Sequence, residues 1–170
     1  ETQRPIVAQI YGKTPKYFRQ VATILCQLGF DGIDINMGCP AKSVDQSGSG
    51  AALIKTPELA QEIIKATQQG VEDYLNGIKA KDCEDISKKV AKEIEIRHAK
   101  LPKKFRQARN IPVSVKTRIG YSKPEVDQWI PKLLEMKPAL IAIHGRTLKQ
   151  QYSGQADWDE IKKAARLCHQ

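Results

Sequence analysis

The sequence predicts an α/β fold, a partial (β/α)8 (TIM) barrel of about four β-α units with a helical insertion. Three observations lead there. Short β-branched runs alternate four times with stretches of helical periodicity, an order that implies parallel strands joined by right-handed crossovers. On one face, every run ends in a polar side chain, which fits a barrel mouth better than a sheet covered on both sides, whose strands are apolar throughout. Cys39, between Gly38 and Pro40, stands just past the second run, and the carboxyl ends of strands are where parallel α/β proteins keep reactive groups.

Residues 5–10, PIVAQI, are short, β-branched and stopped by Gly12, and read as a buried strand. Thr14 and Pro15 form an N-cap and first-turn pair, and Phe18, Val21, Ala22, Leu25 and Leu28 recur at helical spacing until Gly29. A second strand over 33–36 opens without a spacer into a long loop of small and polar residues. Thr56, Pro57 and Glu58 then start a helix with Leu59, Ile63, Ile64 and Ala66 on its inner face and Gly70 at its end.

Residues 71–110 break the rhythm, being rich in Lys, Glu and Asp with few large apolar groups and no strand signal. They are expected to form one or two solvated helices within the single domain spanning 1–170. Between Arg97 and Arg109 stand six Lys or Arg and no acid, a pattern open to two readings: a solvated helix face, or a stripe against RNA phosphates. A third strand follows over 112–118, and a helix over 125–136 carries Trp129, Ile130, Leu133 and Leu134. A fourth strand covers 139–144. A last helix runs through Gln170, capped by Asp157 with Glu160 completing a capping-box-like pattern.

Composition narrows the function classes. With 170 residues, 41% of them hydrophobic, the chain can bury a real core. No apolar run approaches the roughly 20 residues of a membrane helix, and ETQRP lacks the apolar centre of a secretion signal, so a cytoplasmic location is expected. The four cysteines stand far apart with no C-x-x-C pair and the three histidines are scattered, so no metal site is expected. A formal charge of +9 points towards a polyanionic partner, because Lys and Arg displace counterions from phosphates.

Strand parity sorts the side chains. Ile6, Ala8, Ile10, Ile33, Ile35, Val113, Val115, Ile141 and Ile143 form an apolar set expected under the helices. The opposite parity collects Val7 and Gln9, Asp34 and Asn36, Ser114, Lys116 and Arg118, then Ala142 and His144. Gln9 offers an amide donor and acceptor suited to the edge of a planar heterocycle. Lys116 supplies a positive charge for an electron-rich ring, and His144 and Arg146 can donate to ring oxygens or phosphates. These groups fit several flavin or phosphate barrels. Cys39 itself is either a working thiol or a small buried hydrophobe, as free cysteines often are.

Taken together, DGIDINMGCPAKSV, PVSVKTRIGY and HGRTLKQQYSGQADWDEI resemble the tRNA-dihydrouridine synthases, in order, over most of the chain outside 71–110. The resemblance implies an FMN-dependent TIM barrel that reduces the 5,6 double bond of uridines in tRNA, with NADPH as electron donor and the full-length protein a monomer. It assigns Cys39 as proton donor, and Gln9, Lys116, His144 and Arg146 as cofactor contacts. Asn36, Lys42, Arg118 and Tyr152 become substrate-side residues. It also implies that a first strand and flavin-binding loop precede Glu1, and that later strands and a helical tRNA-binding domain follow Gln170. This piece alone is accordingly expected to hold FMN weakly and to be inactive. By the same resemblance 1–170 is a partial TIM-barrel catalytic domain, and 71–110 is a basic helical insertion in place of what is usually a short connection. Two other readings of the residues are a flavin barrel acting on a small metabolite, dihydroorotate-dehydrogenase-like, and a non-catalytic RNA-binding fragment. The positive charge and the H-G-R-T segment speak against the first.

Overall fold

Four parallel strands, β1 (Val7–Ile10), β2 (Gly32–Met37), β3 (Val113–Arg118) and β4 (Leu140–His144), lie side by side in chain order in the computed structural model, which describes residues 3–169. The register sets Ile35 against Val115 and Val115 against Ile141, and it sets Arg118 against His144. The connections run through α1 (Pro15–Gln27), α2 (Lys42–Gln46), α3 (Pro57–Leu75), α4 (Lys88–Lys100), α5 (Lys103–Arg106) and α6 (Val126–Leu134), and α7 (Trp158–Cys168) closes the chain. Four parallel strands in sequential order, each followed by helix, make a partial (β/α)8 barrel.

The apolar parity is buried where the sheet is central. Ile33, Ile35, Met37, Val113, Val115 and Thr117 turn to the helices and are essentially inaccessible. The edges differ. Ala8, Ile10, Ile141 and Ile143 are only half-buried, and Ile6, expected under the helices, precedes β1 and is 41% exposed. Edge strands have a neighbour on one side only, which is the physical reason.

Gly70 does not end its helix, because α3 continues to Leu75. The glycine is there for close packing: a Cβ at position 70 would stand 2.1 Å from the Arg19 carbonyl and 2.8 Å from the Ala22 Cβ, both on α1. Thr23 seals the crossing by donating its hydroxyl to the Gly70 carbonyl at 2.9 Å. The expected insertion boundary at 71 therefore falls inside α3, where Val71 and Tyr74 are core residues.

The loop after β2 is more structured than its small residues promised. It contains α2 and a 3-10 helix, Gly50–Lys55, that buries Ala51, Ala52, Leu53 and Ile54. Thr14 occupies the N-cap of α1 without a side-chain hydrogen bond. Asp157 does cap α7, accepting the Glu160 N–H at 3.0 Å. The reciprocal half of the capping box is missing, because the Asp157 N–H donates instead to the Gly145 carbonyl at 2.7 Å. Gln170, expected in that helix, lies outside the described residues.

Helices α4 and α5 are laced to the amino-terminal end of the sheet. Ser87 caps α4, and Ala91, Ile94 and Phe105 bury its inner side. His98 donates Nδ1 to the Gln27 carbonyl at 2.7 Å, beyond which α1 turns into β2. At the foot of β2, Asp31 accepts from Arg4 at 2.7 Å and from Arg109 at 3.3 Å, and the Phe105 ring lies under the Arg4 guanidinium, 3.5 Å away. Burial would push the Asp31 carboxyl up, but the Ile6 N–H and the two guanidiniums outweigh it and hold the pKa below the usual range.

Candidate active site

Parity carries the polar side chains of all four strands onto the face of the sheet away from the helices, and the strand ends gather them at the carboxyl edge. Asp34 is the hub. It accepts from Gln9 Nε2 and from Ser114 Oγ, each at 2.7 Å. Gln9 Oε1 in turn accepts from Asn36 Nδ2 at 3.0 Å, so both ends of the Gln9 amide are engaged by neighbours on β2. Asp34 and Ser114 were visible as members of the polar parity. Nothing in their spacing singled out the carboxylate as the group that orders Gln9.

Asn36 also faces the other way. Its Oδ1 accepts the backbone N–H groups of Gly38 and Cys39 at 3.1 and 2.9 Å, folding the chain sharply as β2 ends. Cys39 is thereby brought to the same edge as Gln9, half-buried. Gly50 packs against its back with φ of +61°, and a Cβ there would lie 3.0 Å from the Cys39 carbonyl and 2.8 Å from Val44.

Lys116 is paired in register with Asn36. Its ammonium is half-buried, makes one long hydrogen bond of 3.4 Å to the Thr117 carbonyl, and has no ion pair among the described residues. Burial lowers its pKa, Arg118 lowers it further, and Asp34 offsets part of this. His144 is lowered as well, by burial first and then by Arg118, Lys116 and Arg146. Arg146 Nη1 lies 3.3 Å from His144 Nε2. A guanidinium only donates, so Nε2 is the acceptor and the neutral ring carries its proton on Nδ1.

The substrate-side expectations separate. Arg118, at the end of β3, is only 3% exposed. It donates Nε to the Gly38 carbonyl at 2.7 Å and Nη1 to the Thr147 and Gln151 carbonyls at 3.0 and 3.3 Å. Arg146 turns back onto its own loop, with 2.8 Å from Nη2 to the Gly154 carbonyl. Lys42 is exposed at the start of α2, and Tyr152 is 78% exposed beside the loop that Arg118 holds. One contact lay outside the reading of the sequence: the Tyr121 hydroxyl donates to the Asp45 carboxylate at 2.9 Å, with Lys55 Nζ 4.1 Å from the ring centroid, and so ties α2 to the segment after β3. Among the described residues no cluster of His, Cys, Asp and Glu could hold a metal ion. No helix of these residues is long and apolar enough to cross a membrane.

A half-buried thiol, an under-partnered lysine and a neutral histidine lie towards the carboxyl ends of parallel strands, the edge at which α/β barrels carry their functional groups. The family model for dihydrouridine synthase (Dus) matches residues 1–89 and 97–167, and the chain belongs to that family. It is 33% identical over 170 aligned residues to a probable tRNA-dihydrouridine synthase of Staphylococcus aureus (strain COL), covering 98% of this chain and 39% of that protein. It is 33% identical over 169 residues to the probable tRNA-dihydrouridine synthase 2 of Bacillus subtilis (strain 168), covering 96% and 39%. The chain thus spans about two-fifths of the length of these relatives. The internal stretch left unmatched, 90–96, falls within α4.

Proposed function

We propose that this chain is the catalytic part of an enzyme that reduces uridine in tRNA to 5,6-dihydrouridine. The observation that carries the reading is the seating of Cys39: a half-buried residue whose backbone N–H is held by Asn36 towards the strand ends that also carry Lys116 and His144. The family's namesake reaction gives such a thiol a task.

The residues present fit a flavin. Lys116 is a half-buried cation that makes no ion pair among the described residues, as expected where an anionic ring or phosphate is to sit, and Arg118, His144 and Arg146 keep the same edge positive or neutral. Gln9, Lys116, His144 and Arg146 would hold it. When bound, FMN reduced by NADPH supplies the hydride that adds to C6 of the uracil.

The chain's own residues do the rest. As C6 gains the hydride, the electron pair of the C5–C6 double bond moves to C5, and the Cys39 thiol gives its proton there. The thiolate left behind regains a proton from water. A thiol suits this task because it is ordinarily protonated at neutral pH yet readily gives its proton up. Asn36 fixes the segment from which the thiol is delivered. Lys42 and Tyr152, exposed around the mouth, are available to the RNA, whose target base must leave its stack to reach the site.

Cys39→Ala in the full-length enzyme tests the reading. Flavin should stay bound and reducible by NADPH, while reduction of uridine in unmodified tRNA nearly stops. Undiminished turnover would remove Cys39 as the acid. Turnover of dihydroorotate or small enones in preference to tRNA would replace the substrate.

A further inference from the structure

The resemblance makes Arg118 a substrate contact, but its surroundings give it other work. The carboxyl edge of the sheet is open, yet this side chain is 3% exposed, because two loops fold over it. One follows β2 and carries Cys39. The other follows β4 and carries Arg146 and Tyr152. Three of the donor interactions of the guanidinium end on backbone carbonyls of these loops: Gly38 on one side, Thr147 and Gln151 on the other.

The second loop is shaped for this. Gln151 adopts φ of +52°, a left-handed conformation unusual for a residue with a side chain. Gln150 holds the turn by accepting the Thr147 N–H at 2.8 Å, and the Gln150 N–H donates back to the Thr147 hydroxyl. The turn thereby brings the carbonyls of residues four apart to one nitrogen. A planar fork with several fixed donors can bridge two loops in this way. A lysine, with one compact ammonium on a flexible stem, cannot.

We infer that Arg118 is a positioning residue, which fixes the Cys39 thiol relative to the His144–Arg146 loop by bonding to the Gly38, Thr147 and Gln151 carbonyls. The inference rests on the proposed function, since that reading gives Cys39 its task. A donor displaced by about 1 Å loses on the order of a hundredfold in rate without any change in what binds.

The test uses the full-length, flavin-loaded enzyme with Arg118→Lys and Arg118→Met. Single-turnover reduction of uridine should fall by about a hundredfold in both. KM for tRNA should stay within about threefold, and reduction of the flavin by NADPH should not change. Alkylation of Cys39 by iodoacetamide should accelerate severalfold, because its loop has lost a tether. If Arg118→Met does not fold, Arg118→Lys, which keeps the charge and most of the volume, carries the test. A large rise in KM with the single-turnover rate intact would overturn the inference in favour of direct RNA contact. Unchanged rate and unchanged alkylation would reduce Arg118 to packing. The alkylation arm needs no substrate, so an inactive parent enzyme would defeat the proposed reaction and leave this arm to decide the tether.

Discussion

Asn36 Oδ1 accepts two consecutive backbone N–H groups, those of Gly38 and Cys39, while its Nδ2 donates to Gln9. One side chain therefore aligns the thiol loop and the first strand's amide. Asn36→Ala leaves both N–H groups without this acceptor and should cost about 1 kcal/mol of stability, the usual price of a lost side-chain cap. Uridine reduction should fall well beyond what that destabilisation explains. Denaturant melts paired with single-turnover kinetics measure the two, and a variant that loses stability but keeps its rate would show that the loop needs no help from Asn36.

Lys116 is a cation kept in a place that disfavours it. Burial, then Arg118, lower its pKa, so the protonated form is less stable here than in the unfolded chain. Lys116→Met removes that penalty at similar volume and should raise the melting temperature of the flavin-free protein by a few degrees, while abolishing tight flavin binding. Calorimetry of the flavin-free protein and flavin titration check both. A lower melting temperature would mean that the ammonium stabilises the fold through contacts other than the long bond to Thr117.

His144 gives a pH dependence of defined sign. Its folded pKa lies below the ordinary value of about 6.5, so between the two values the unfolded chain binds more protons than the folded one. Stability should therefore decline as pH falls below about 6.5, with protonation also breaking the bond that Nε2 accepts from Arg146. His144→Gln should flatten this part of the curve. Urea midpoints between pH 8 and 5 make the comparison, and identical curves for the two proteins would assign the decline elsewhere.

Most of the sheet was legible because its signal is local. The parity of GIDINM and VSVKTR sends Ile33, Ile35, Val113 and Val115 to the core and Asn36 and Lys116 to the mouth, and strand pairing only adds the register. What escaped depends on partners distant in sequence. Residues 50–54 look like part of a small-residue loop, yet they are buried because β2 and α3 pack against them. Arg118 reads as a free guanidinium until the loops from 38 and from 147–151 meet on it. Gly70 has the local signature of a helix end, and only the crossing of α1 shows that its missing side chain makes room for another backbone.

That crossing carries its own prediction. Gly70→Ala would put a methyl group 2.1 Å from the Arg19 carbonyl, so α1 and α3 must move apart. The cost should be about 2–3 kcal/mol, at the upper end of core overpacking, despite the better helix propensity of alanine. A denaturant melt of the variant measures it. A neutral or stabilising result would show that the two helices slide without loss.

The basic run from Arg97 to Arg109 was open to two readings, and its place in the fold favours one. Arg109 is bound to Asp31 and to the Phe30 carbonyl, Arg97 to Glu93 at 2.8 Å, and Lys104 lies over Phe105. These contacts sit at the amino-terminal ends of the strands. Cys39 lies past the far end of six-residue β2, roughly 20 Å away, and Lys116 three residues up β3, roughly 10 Å away. Changing Lys100, Lys103, Lys104 and Arg106 to Gln in the full-length enzyme should leave the salt dependence of tRNA binding within about one unit of slope. Asp31→Asn should instead cost about 2 kcal/mol by weakening the bonds from Arg4, Arg109 and the Ile6 N–H. The contribution of Asp31 should be present above about pH 4 and vanish as pH falls through its lowered pKa, because only the carboxylate is held by the two guanidiniums. A slope that drops by several units in the quadruple variant would instead put RNA phosphates on this end of the sheet.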